Sequence, residues 1–135
     1  MKRNFKYRIY SNKQTIIKAN YWLDLCKNLY NVALEQRILA WKQNHKSISY
    51  YYQTNEIPDL RKMFPEYKEI DAQALREPLH RVDFNFKAFW GRIRRGERAG
   101  FPRFKNKNQY SSLTFYQNSW VIKRNYLFIR NLCVV

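Results

Sequence analysis

The stretch "LREPLHRVDFNFKAFWGRI", residues 75–93, sets Leu75, Leu79, Val82, Phe86, Phe89 and Ile93 at steps of four, three, four, three and four. That spacing is the stripe of a helix with one buried face. Pro78 lies near its amino-terminal end, so the pattern predicts either a kink there or a helix that restarts with Pro78 in its first turn. A buried stripe needs a facing partner, and the upstream chain supplies one. Residues 13–45 contain no Gly or Pro, and Trp22, Cys26, Leu29 and Ala33, with Leu25 and Val32 beside them, keep helical steps. They predict one long helix, or two with a mild break, packed on the first stripe.

Outward from this pair the pattern changes. In "FKYRIY", Phe5, Tyr7 and Ile9 alternate with Lys6, Arg8 and Tyr10, the period of two of a half-buried strand, and Ser11 and Asn12 then offer turn and N-cap chemistry. A short helix is predicted from Pro58 towards Phe64, stopped by Pro65. After the second long helix, Gly96 and Gly100 permit a stop, and "FPRFKNKNQY" is too basic and turn-rich for a core, which predicts a loop or extended arm. "SLTFY", "WVIKR" and "YLFIR" read as strands, the last two as a hairpin around Asn125. The order strand, helices, strands predicts an α+β fold, a helical bundle inserted between the first and second strands of a small sheet.

Composition narrows the function. The chain of 135 residues carries 26 Lys and Arg against 10 Asp and Glu, a formal charge of +16, and nearly half its residues are apolar. One domain of this size buries a real core, and so large a positive excess points to a polyanion. Seven of the ten acids lie between Glu56 and Asp83, so the positive field is concentrated elsewhere. It peaks between Lys87 and Lys107, where eight bases face Glu97 alone. Arginines at the end of one helix and in the following loop can hold phosphates at several points, and Phe101, Phe104 and Tyr110 interleave with them as stacking surfaces do. The phosphate candidates are Arg92, Arg94, Arg95, Arg98, Arg103, Lys105 and Lys107. The bland alternative is a solvated helix face. Tyr50, Tyr51 and Tyr52 suit either stacking or packing.

Other chemistries find less. Glu66, Glu69 and Asp71 are close in sequence, as a two-metal nuclease would need, but acids before a helix simply favour its dipole. His45 and His80 stand apart from each other and from the cysteines. Cys26 and Cys133 lack metal or disulfide spacing, which fits a reducing cytosol. Nothing resembles a secretory leader or a membrane span. No catalytic residue, metal or cofactor is expected, and the oligomeric state is open.

"FKYRIYSNKQ", "CKNLYNVALEQRILAWK", "QALREPLHRVDFNFKAFWGRIRRGERAGFPRFKNKNQYSSLTFYQ" and "WVIKRNYLFIR" together resemble, in order, the amino-terminal part of the OrfB/TnpB proteins of insertion sequences, relatives of the type V CRISPR effectors. The resemblance implies a wedge-type, OB-like β-barrel, incomplete here, with a recognition helical bundle inserted after its first strand. It implies boundaries at 1–11 for that strand, 12–96 for the bundle, and 97–135 for a basic linker and partial barrel. It implies DNA and guide-type RNA as partners in a prokaryotic, nucleoid-associated cytoplasmic protein. Members are RNA-guided DNA nucleases, and their RuvC-like and zinc-ribbon parts lie beyond the stretch matched here, so no nuclease activity is expected of these residues alone.

Carried over, the surface reading the target-adjacent motif is Tyr50, then Gln73, Arg76 and Glu77, then Tyr116, Gln117 and Asn118. Such side chains can bond base edges. Pro78, and Arg76 with Glu77 where amides are commoner, depart from the family pattern and put the motif in doubt. Two other readings remain open: a stand-alone helix-turn-helix DNA reader, and a basic module for an acidic protein partner.

Overall fold

The computed structural model describes residues 2–106, 108–116 and 119–134. α1 runs from Lys13 to Asn44 without a break. Asn12 caps it: its Oδ1 accepts from the Thr15 amide at 2.8 Å and from the Thr15 hydroxyl at 2.7 Å. His45, left-handed at φ 51°, ends it, and the amides of His45 and Lys46 bond back to the carbonyls of Trp41 and Ala40. α2 (Tyr50–Thr54), α3 (Ile57–Met63) and a 3-10 turn (Pro65–Glu69) follow, and α4 runs from Ala72 to Arg94. Asp71, one of the acids weighed for metal chemistry, caps α4 by accepting from the Gln73 amide at 3.1 Å.

α4 passes straight through Pro78, its seventh residue, rather than restarting there. Pro78 has no amide to donate, and its ring is among the most deeply buried side chains, so packing compensates for the missing bond. The expected seam is buried from Leu75 to Phe89, while Ile93 is exposed beyond the end of α1's cover. Partners late in α1 meet residues late in α4: Arg37 bonds Asp83, and Trp41 meets Trp90 edge-on with ring centres 4.9 Å apart. The two long helices therefore run in the same sense, with α2, α3 and the 3-10 turn making the return between them. Gln53 fixes α2 to α1 by donating to the Ala33 carbonyl at 2.9 Å and to Gln36.

The carboxy-terminal part holds a three-stranded antiparallel sheet in the order β1 (Trp120–Lys123), β2 (Tyr126–Ile129), β3 (Cys133–Val134). Register pairs Lys123 with Tyr126, so Arg124 and Asn125 form a two-residue hairpin turn, with Arg124 at φ 55°. Leu132 enters the helical core, and the Asn131 side chain donates to the Glu69 carbonyl at 2.9 Å.

Two strand expectations are corrected. Residues 2–11 carry no strand pairing, and Phe5, Tyr7, Ile9 and Tyr10 are exposed. Their alternation is real, but a strand needs a neighbour, and among the described residues none lies beside it. "SLTFY" likewise forms no strand, because Leu113 and Phe115 pack on the core instead. The architecture is α+β, mainly helical with a small sheet.

Candidate nucleic-acid interface

Gly96, at φ 77°, turns the chain out of α4, and residues 97–106 and 108–116 then return along the helix pair as a strap. The strap was expected to stay clear of the core, and that expectation is overturned. Phe101 stacks on Phe89 with ring centres 5.1 Å apart, and Tyr110 is buried among the helices. Aromatic area in this stretch outweighs its charge.

One side chain fastens the strap. Asn31 donates to the Lys105 carbonyl and accepts from the Lys105 amide, both at 2.9 Å, as a neighbouring strand would. Asn31→Ala leaves two partly buried backbone groups without partners and is expected to cost about 1–3 kcal/mol. Hydrogen exchange at the Lys105 amide should accelerate while exchange within α1 stays slow.

Between the strap, Tyr30 of α1 and Asn85, Ala88 and Arg92 of α4 lies a groove of about 530 Å³. Arg92, Arg103 and Lys105 supply its positive charge. Asn85 donates to the Tyr30 hydroxyl at 2.8 Å and fixes the floor. The Lys105 ammonium lies 4.9 Å from the centre of the Tyr30 ring and 5.8 Å from that of Tyr110. Burial, with Arg81 nearby, holds the Lys105 ammonium below its usual pKa.

The predicted phosphate residues therefore divide. Arg92, Arg103 and Lys105 share the groove, whereas Arg94, Arg95 and Arg98 are exposed and do not line it. Helix geometry separates Arg94 from Arg92, since two residues along α4 turn a side chain by roughly 200°, while Arg95 and Arg98 lie past the end of the helix. Arg95 also pairs with Glu97 at 3.0 Å. Lys107 lies outside the described residues.

Four of the motif-reading candidates meet around the amino-terminal half of α4. The Tyr116 hydroxyl donates to Glu77 Oε2 at 2.8 Å, a bond that, with burial, pushes its pKa up to about 12. Glu77 also pairs with Arg81 at 3.4 Å. Tyr50 packs edge-on against His80, and its hydroxyl is raised mainly by burial while feeling the opposed charges of Arg76 and Glu77. Gln73 is exposed one turn before Arg76 and Glu77 on α4. Gln117 and Asn118 lie outside the described residues.

Sequence reasoning missed Arg81, Asn31 and Asn85. Arg81 donates to Ser112 Oγ at 2.8 Å and lies 4.6 Å from the centre of the Tyr110 ring, so it ties α4 to the strap. Asn31 and Asn85 border the apolar stripes, and a neutral amide beside a helix seam was the available signal.

Burial pushes the Cys26 thiol from 9.0 up to about 12, so it holds its proton, and the Tyr67 hydroxyl, donating to the Leu25 carbonyl, is also raised to about 12. These groups, with Tyr116, are neutral in the fold and ionise more easily when unfolded. Their contribution is complete below about pH 9 and is lost as pH rises towards 12. Thermal midpoints measured from pH 8 to 12 should hold to about pH 9 and fall from there towards 12.

Among the described residues no three or more His, Cys, Asp or Glu side chains group to hold a metal ion, and no helix is long and apolar enough to cross a membrane. Residues 1–46 match the OrfB/IS605 helix-turn-helix domain family. A curated protein of Streptomyces pristinaespiralis, named as an RNA-guided DNA endonuclease, is 24% identical over 127 residues. That alignment covers 93% of this chain but 30% of the relative, so the chain spans about a third of the relative's length. Both findings support the resemblance to the amino-terminal part of TnpB/OrfB proteins. Among the described residues of the matched stretch there is one uninterrupted helix, α1, rather than two.

Proposed function

We propose that these residues are a nucleic-acid-binding part of a TnpB-like protein, holding guide-type RNA, DNA beside the target, or both, without cutting. The groove between α1, α4 and the strap carries the reading: three cations line one open channel with exposed aromatic surface beside them. Backbone phosphates occupy Arg92, Arg103 and Lys105, and Arg94, Arg95 and Arg98 extend the contact round the end of α4.

Tyr50, Gln73, Arg76, Glu77 and Tyr116 then face base edges of a target-adjacent motif. Glu77 is engaged by Tyr116 and Arg81, so reading a base with it requires one of those bonds to open. Residues 2–11, with their unpaired alternation, become a strand where the remainder of a wedge-type barrel supplies a neighbour.

Filter binding of structured RNA and of a short duplex between about 50 and 200 mM salt tests this. Tight binding that weakens steeply with salt is expected, with structured RNA favoured if guide binding is the main role. Weak, salt-insensitive binding to both would overturn it.

A further inference from the structure

A second depression, of about 440 Å³, opens between the end of α1, residues 47–49, α2 and α4. Its aromatic lining comes from Tyr50, Tyr51, His80, Phe86 and Trp90. Tyr51 stands edge-on to Tyr50 with ring centres 5.6 Å apart, and most of its surface is exposed. Arg37 and Asp83 also line the depression, joined at 3.2 Å, and Lys87 reaches Asp83 from the exposed rim at 3.0 Å. Arg37 is only 6% exposed; its Nε donates to Gln53 at 2.8 Å, and its Nη2 has no hydrogen-bond partner among the described residues.

A free anion is a poor match for this lining, because Asp83 already answers both cations. A neutral aromatic ring with a polar edge fits better: the tyrosines and Trp90 give it faces, and Asp83 and the Tyr50 hydroxyl offer an acceptor and a donor. The volume falls within the range of small-molecule sites, roughly 300–1,000 Å³. A paired base cannot enter a concave site without leaving its stack. We propose that this depression takes one unpaired nucleobase of a bound strand, stacked on the Tyr50–Tyr51 pair and Trp90 with its hydrogen-bonding edge towards Asp83. This assignment rests on the nucleic-acid reading above.

The test uses the full chain and a duplex of about 20 base pairs bearing one bulged 2-aminopurine, compared with the same duplex abasic at the bulge. The bulged base should bind about ten-fold more tightly or better, with its fluorescence altered on binding. Tyr51→Ala, at a side chain exposed enough for the fold to tolerate the change, should reduce that preference while leaving affinity for the abasic duplex unchanged. Equal, salt-sensitive binding of both duplexes by the unaltered chain overturns the base site and leaves the nucleic-acid reading standing. A preference that survives in Tyr51→Ala also overturns the site, as does binding of neither duplex.

Discussion

With Arg94, Arg95 and Arg98 all changed to Ala, the logarithmic salt dependence of nucleic-acid binding is expected to flatten by about three. Over a four-fold rise in salt, a slope change of that size alters the affinity ratio by about sixty-fold. The three side chains are exposed, and among the described residues only Arg95 has an ion-pair partner, so the fold should not suffer. The companion variant Arg92→Ala with Arg103→Ala removes two of the groove's cations and should flatten the slope by about two. If the groove pair alone changes the slope, nucleic acid lies in the groove and not round the end of α4. If the triple alone does, the strap is only structural. Salt titrations on both variants, with circular dichroism as a check on folding, separate these outcomes.

Arg37→Ala is expected to cost about 3–5 kcal/mol, a large part of the stability of a domain this size. The loss is not that of one contact. Removing the guanidinium leaves the Asp83 carboxylate, 13% exposed, with only the solvent-facing Lys87 as partner, and it frees Gln53, whose amide joins α2 to α1. The double variant Arg37→Met with Asp83→Leu should recover much of the stability, since a buried ion pair exchanged for apolar groups is often neutral. Urea melts of the single and double variants measure both.

The helix pair was legible because burial imposes its period on the sequence, and Leu75 through Phe89 show it without interruption. The same stripe could not reveal that α4 continues through Pro78, since that depends on how tightly its neighbours close around the ring. Nor could "FPRFKNKNQY" declare its two natures. Its bases advertise solvent, while Phe101 and Tyr110, too few to make a period, are what dock it. The candidate cations were legible as a group, but their division between groove and helix end follows from where the strap crosses α4. Asn31 and Arg81 could not be singled out, because each acts through a backbone or a ring far away in sequence.

The Asn31–Lys105 clamp closes a ring of 74 residues. Contacts that distant carry the entropy of closing a long loop, so they form after the local turns of α1 and α4. The groove is thus a late product of folding, its outer wall existing only when the strap is down. A strand seated there presses the strap onto α1, and ordering that wall and holding nucleic acid become a single equilibrium read from two ends. Protease cleavage in residues 97–104 should accordingly slow when nucleic acid is added.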